Sequence, residues 1–415
     1  MTGPRRVAIT GLGAVCAIGN NAPETWAALS EGRCGIGPIE SLDTSGIRFR
    51  NGAEVRGFDA ARHFDPVQLD FLDRFAQFAL VAAREALADS GLRLTPETAE
   101  RTAVYTGSCL GGQTTEDAGF EDLYRRGKNS MHPLSVPRVM ANAGASQISM
   151  DLGLTGPACT ISTACASANH AIGHAFWMVR AGLADVALTG GSEAPFSYAH
   201  LKAWEAMRVV SPETCRPFSA DRKGLILGEG AGMLLLEPLD AAVARGARVY
   251  AEVAGFGMSS DAHHLTQPSS SGAARAMRLA LEDAGLAVEQ VGYVNAHGTG
   301  TRTNDPSETR AIREVFGSGA DRLAVSSTKS MHGHALGAAG ALEAVATALA
   351  LHQGLVPPTA NFTTADPECD LDVVPNAARP LFAEAALSNS FAFGGLNAVL
   401  AFRAAAGASS SGGPR

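Results

Sequence analysis

One feature limits what this chain can fold into more than any other: a stretch of it occurs twice. Residues 82–92 read AAREALADSGL, and residues 276–286, 194 positions later, read AMRLALEDAGL. Both have apolar residues at helical spacing and a near-terminal glycine suited to a helix C-cap. Their surroundings repeat in the same order. RRVAITGLGAV (5–15) precedes the first copy and RVYAEVAGFGM (248–258) the second, each β-rich and leading into Gly-x-Gly. TAVYTGS (102–108) follows the first and GYVNAHGTG (292–300) the second. STACASANHAIGHA (162–175) has a loose counterpart in STKSMHGHALGAAG (327–340). One match among alanine-rich helices would be coincidence. Four in the same order argue for a duplicated βαβ-type unit joined near residues 240–250.

Strands alternating with helices predict mostly parallel, buried sheets covered by helices, a layered α/β fold. The 415 residues allow two or three folding units at about 100–200 residues each. The division expected is 1–245 for the first half, 246–403 for the second, and 404–415 (AAAGASSSGGPR) as a disordered tail.

Several classes of function are disfavoured. The net charge is −8 and no run of Lys or Arg could track a phosphate backbone, which argues against nucleic acid. Apolar stretches break well short of the about 20 residues that span a bilayer. The seven cysteines are odd in number, widely spaced and without C-x-x-C. No disulfide framework or zinc site is expected, and a reducing cytoplasm fits. MTGPRRVAIT does not read as a signal peptide. Gly11-Leu-Gly13 imitates a dinucleotide fingerprint, but Cys16 stands at the third glycine position and no acidic residue ends a second strand.

Four segments carry chemistry. In ACTISTACASANHAIGHAFWMVRAG (158–182), a strand ends near Thr160–Thr163 and a helical pattern runs from Ala166 to Arg180. Cys165 therefore sits at a helix start, where partial positive charge is expected to lower the thiol below its free value of about 8.5. The same free N–H groups can hold an oxyanion. The functional reading is a nucleophile; the bland one is a small buried hydrophobe. In VNAHGTGTRTNDPSET (294–309), His297 ends a strand and projects toward the crevice where α/β folds bind ligands; a structural histidine is the alternative. In SSTKSMHGHALGAAGALEAV (326–345), Lys329 and His334 lead into a glycine-rich helix bearing Glu343, the carboxylate a buried lysine would want. His332-x-His334 lacks further ligands at metal spacing, so no metal is expected. His263-His264 is expected to face solvent. SNSFAFGGLNAVL (388–400) is a glycine-rich turn carrying Phe391 and Phe393.

Together, in this order, the four segments resemble the β-ketoacyl-[acyl-carrier-protein] synthase family, specifically its elongating type II members. The resemblance runs from residue 5 to about 403 and includes RPFSADRKGLILGEGAGMLLLE (216–237) and GSEAP (191–195). It implies a thiolase-like, duplicated five-layer α-β-α-β-α sandwich. It implies that Cys165 takes an acyl chain from acyl carrier protein, and that His297 and His334 assist decarboxylation of malonyl-carrier protein by hydrogen-bonding its thioester carbonyl. Neutral imidazoles donate without first losing a proton, so both read as donors. The backbone N–H groups of Cys165 and Phe393 match the oxyanion hole, and Lys329 with Glu343 the charged pair that organises the site. Thr299 and Thr301 match threonines that bind the pantetheine arm. Phe393, beside Phe391, matches an aromatic gate, and Leu110 a residue limiting the acyl pocket. No resident cofactor is implied, because 4'-phosphopantetheine arrives on the carrier. The expected partners are acyl carrier protein and either a second copy or a chain-length-factor-like subunit.

Departures bear on the substrate. The family gate reads Gly-Phe-Gly-Gly-Thr; here Ala392 and Leu396 flank Phe393-Gly394-Gly395. His332 replaces a smaller or apolar residue. Asn304-Asp305 resembles polyketide and nodulation-type synthases at least as much as housekeeping ones. A specialised acyl chain and primary fatty-acid elongation are both open. So is a non-catalytic carrier-binding or chain-length partner, although that subunit type lacks the nucleophile present here. A thiolase would need a second cysteine near the C-terminus, and a type III-like synthase an asparagine where His334 stands.

Overall fold

The computed structural model describes residues 4–405. Ten strands form one sheet: β1 (Val7–Cys16), β2 (Thr102–Gly107), β3 (Ala158–Ile161), β4 (Val186–Glu193), β5 (Gly230–Pro238), β6 (Ala251–Ser260), β7 (Val291–Asn295), β8 (Ala324–Ser326), β9 (Ala385–Ala392) and β10 (Leu396–Ala404). Outward from the middle, the first half runs β1-β5-β4-β2-β3 and the second β6-β10-β9-β7-β8. The two halves have the same strand order. They join where β1 and β6 pair antiparallel, Val7 opposite Val253 and Ile9 opposite Ala251.

Six helices position the site: α1 (Arg74–Ser90), α2 (Ser167–Arg180), α3 (Tyr198–Met207), α4 (Ser270–Ala284), α5 (Asn304–Phe316) and α6 (Ala339–Gln353). Helix α1 covers β1, β4 and β5 on one outer face; α4 covers β6 and β10 on the other, with α5 packed beside it. Helices α2 and α6 pack on each other and on strands of both halves. They form the middle layer of an α-β-α-β-α sandwich. Helix α6 is buried from Ala339 to Leu351, so its sequence is apolar all round with Glu343 as its single acid.

The repeated segments occupy equivalent places. Gly91 and Gly285 cap α1 and α4 in the left-handed conformation (φ 63° and 59°). The Gly-x-Gly pairs are packing devices inside strands. A Cβ on Gly11 or Gly13 would strike the carbonyls of Ala86 and Ala82 on α1, and one on Gly255 or Gly257 those of Ala280 and Ala276 on α4. Strand β1 runs on through Gly13 without a turn, so no phosphate loop forms there.

Two expectations are corrected. The sheet is mixed: β2, β3 and β4 are parallel, but β4–β5 and β5–β1 are antiparallel. The second half shows why. Only residues 393–395 separate β9 from β10, and so short a link can return only antiparallel. In the first half the equivalent hairpin pair, Glu193 opposite Gly230, is bridged by residues 194–229, which include α3. The tail also begins later than expected, since Ala404 is the last residue of β10. Residues 406–415 lie outside the described residues.

Candidate active site

Strand β3 delivers Cys165 to the start of α2 through a tight turn. Ala164, just before it, has φ 50°, a left-handed conformation costly for a residue with a Cβ. The Ser167 hydroxyl secures it, accepting the Thr163 N–H (2.9 Å) and donating to the Ala164 carbonyl (2.6 Å). The sulfur is buried at the junction of the halves. The expected lowering of its thiol is not met. Burial pushes it up to about 11, while the Lys329 charge pulls the other way. Desolvation of the thiolate outweighs the Lys329 charge.

The facing groups follow β7 and β8. His297 lies two residues past β7, and its N–H and that of Gly298 donate to Glu308 on α5, both at 2.8 Å. Lys329 follows β8 and is wholly buried. Its ammonium donates to the His297 carbonyl (2.7 Å), pairs with Glu343 and faces His297 Nδ1 at 3.4 Å. Burial pushes the Glu343 carboxyl to about 7, with Lys329 opposing. His334 is held between the Ile226 carbonyl (2.7 Å) and the Gly228 N–H (2.9 Å), and its Nδ1 accepts the Leu336 N–H at 3.2 Å.

These contacts fix both tautomers. An ammonium and an amide N–H can only donate, so each Nδ1 carries a lone pair and each Nε2 the proton. The rings are 5.4 Å apart and nearly perpendicular. Burial, then the Lys329 charge, holds both well below the usual imidazole range. Two neutral N–H donors thus stand beside a buried thiol.

Cys165, His297, His334, Thr299, Thr301, Phe391 and Phe393 all line one cavity of about 480 Å³. Lys329 and Glu343 lie behind its wall. Leu110 does not line it; that side chain packs in an apolar cluster with Trp204 and Phe393. Phe393 sits on the β9–β10 hairpin, where Gly394 and Gly395 have φ 83° and 70°. Among the described residues, the amides of Cys165 and Phe393 donate to no backbone carbonyl. Residue His264 is exposed, as expected of the pair, yet it also lines the cavity mouth. His332 is buried away from the cavity, its Nε2 3.0 Å from the Thr328 hydroxyl. Among the described residues no three His, Cys, Asp or Glu side chains cluster to hold a metal.

Several residues of the site receive no structural role from the sequence, where Asp305 stands only in the resemblance. Glu193 accepts the N–H groups of Cys109 (2.8 Å), Leu110 (3.2 Å) and Gly337 (3.0 Å), tying the Leu110 loop to the approach of α6. Glu308 and Asp305 brace the turn after His297, Asp305 accepting the Gly300 N–H at 3.2 Å. Their signal was the presence of acids in otherwise buried segments, where a charge persists only with dedicated donors. Trp204 also lines the cavity.

Comparison with known proteins agrees with this geometry. The description "Beta-ketoacyl synthase, N-terminal domain" matches residues 4–242, and "Beta-ketoacyl synthase, C-terminal domain" residues 250–363. Nodulation protein E of Rhizobium sp. (strain N33) is 50% identical over 399 residues, 96% of this chain and 99% of that protein. The 3-oxoacyl-[acyl-carrier-protein] synthase 2 of Staphylococcus aureus (strain COL) is 43% identical over 410 residues, 97% of this chain and 99% of that protein. The solved ishigamide ketosynthase/chain length factor superposes with a TM-score of 0.92 at 39% identity, covering 97% of this chain and all of that one. The chain belongs to the β-ketoacyl synthase family and is an enzyme of the acyltransferase type.

Proposed function

We propose that the cavity performs a decarboxylative Claisen condensation in two stages. First, the Cys165 sulfur attacks an acyl-carrier thioester; the acyl C–S bond transfers to Cys165 and the carrier leaves with its thiol. Second, malonyl-carrier loses carbon dioxide to give an enolate, and the enolate carbon attacks the acyl-Cys165 carbonyl. A C–C bond forms and the C–S bond to Cys165 breaks. The departing sulfur takes a proton, and a 3-oxoacyl-carrier is released.

The observation that carries this reading is the pair of neutral Nε2–H donors, His297 and His334, in one cavity with Cys165. Donors fixed before the reaction stabilise an oxygen as it gains charge. The amides of Cys165 and Phe393, which donate to no backbone carbonyl among the described residues, suit the oxyanion of acyl transfer. Lys329 and Glu343 position His297, Thr299 and Thr301 receive the pantetheine arm, and the cluster around Leu110 receives the acyl end. No resident cofactor takes part; 4'-phosphopantetheine comes with the carrier.

The partners are acyl carrier protein, named for the staphylococcal relative, and a second subunit. Strand β3 ends the sheet with Ala158 exposed, an unpaired edge that supports docking of another copy or of a chain-length-factor-like chain. All seven cysteines are free, which supports a reducing cytoplasm, and no helix among the described residues is long and apolar enough to cross a membrane. Greater identity to nodulation protein E than to the synthase supports a specialised acyl chain.

The test is mass spectrometry of the acyl group trapped on Cys165 after incubation with a panel of acyl-carriers. One acyl class should accumulate on the wild type and none on Cys165→Ala. Condensation surviving in Cys165→Ala would overturn the reading.

A further inference from the structure

Trp204 on α3 and Phe393 on the gate hairpin line the same cavity. Their rings stack, with centroids 6.2 Å apart and planes 28° apart. The two are held very differently. Trp204 is 7% exposed and its indole N–H donates to His200 Nε2 at 2.7 Å, one turn back on α3. An accepting Nε2 requires a neutral ring, and burial holds His200 down at about 4, with Asp117 opposing. Asp117 is also tied down, accepting the Ala199 N–H at 3.2 Å. The indole therefore cannot turn without giving up a hydrogen bond inside a packed cluster of Leu201, Leu225 and Phe196. Phe393, by contrast, is only partly buried. It rides on two glycines in left-handed conformations, and among the described residues its own amide donates to no backbone carbonyl.

A fixed ring stacked on a ring with a soft hinge works as a latch. We propose that Trp204, pinned by His200, is a positioning residue that holds Phe393 closed and so discriminates acyl chains at Cys165 by bulk. A small electrophile would pass the closed ring, whereas a long chain must first lift Phe393 off Trp204. The proposal rests on the reading of Cys165 as acyl acceptor. It adds a selectivity element from residues 194–229, the segment that replaces the short hairpin of the other half.

The test compares alkylation of Cys165 by iodoacetamide and by a long-chain N-alkyl iodoacetamide, with Cys165→Ala defining background. The readout is the ratio of the long-chain rate to the small-probe rate. Removing one aromatic pair should raise that ratio about two- to tenfold in Trp204→Leu. His200→Leu should raise it in the same direction by unpinning the indole. His200→Gln, which keeps an acceptor for the indole, should stay near the wild-type ratio. A simple packing defect would speed both probes together and leave the ratio unmoved. Unchanged ratios in both leucine variants overturn the latch, and the His200 pair decides alone if Trp204→Leu does not fold. Exposed Cys34 labels whatever the site does, so the adduct is read at Cys165 by peptide mass. No Cys165 adduct with either probe overturns the reading of Cys165 as acyl acceptor, whereas a Cys165 adduct with unchanged ratios overturns the latch alone.

Discussion

Lys329 meets His297 at two points: its ammonium donates to the His297 carbonyl at 2.7 Å and faces the ring's Nδ1 at 3.4 Å. One buried cation thereby sets the position of a loop, the tautomer of an imidazole and part of the field at Cys165. Replacing it tests all three. Lys329→Met leaves Glu343 buried without its partner, which should cost about 3–5 kcal/mol of stability. Lys329→Met with Glu343→Gln should recover most of that in thermal unfolding and still condense poorly. Activity returning with stability would show that the pair is structural only.

The thiol's pH dependence separates burial from helix charge. Burial raises the Cys165 thiol to about 11, so its protonated form dominates at neutral pH. Alkylation by iodoacetamide should climb about tenfold per pH unit from 7 toward 10. A plateau below pH 8.5 would mean that the helix start wins after all.

The histidines should behave in the opposite way. Both are held well below the usual imidazole range, so they stay neutral above that depressed range. Nitrogen NMR of labelled histidine should show two Nε2–H rings that do not titrate between pH 6 and 8. A titration near 6.5 from either ring contradicts the donor assignment.

Glu308 reaches the chemistry through backbone. Glu308→Gln replaces an oxygen that accepts with an NH₂ that cannot, so one of the His297 and Gly298 N–H groups loses its partner. The expected cost is about 1–3 kcal/mol in chemical denaturation. Condensation should fall more than acylation of Cys165.

The duplication has its own test. Gly13→Ala and Gly257→Ala each drive a Cβ into a helix carbonyl, one in each half. Both should lower stability by about 1–3 kcal/mol or more. An unaffected Gly13→Ala would make the glycines incidental.

Much of this was readable in the chain. The repeat announced two equal halves, and Cys165, His297, Lys329 and His334 each follow a strand in the way a crevice residue does. What escaped depended on three dimensions. The antiparallel β5 follows from the hairpin of the other half, which residues 194–229 conceal. The direction of the Cys165 shift depends on how much protein covers the sulfur, which no local pattern records. Glu193 and Glu308 stand out only as acids in apolar segments, and their role stays hidden until their donors, up to 144 positions away in the case of Gly337, are folded around them. Trp204 lies in the segment with no counterpart in the second half, so the repeat could not flag it.

The proposed division of labour has Cys165 hold the acyl chain and His297 help to activate the extender. Its most direct test is the intact mass of His297→Ala given acyl-carrier and then malonyl-carrier. The acyl adduct should form on Cys165 and persist, with no 3-oxoacyl product. An adduct that is consumed at the wild-type rate, or that never forms, would contradict the account.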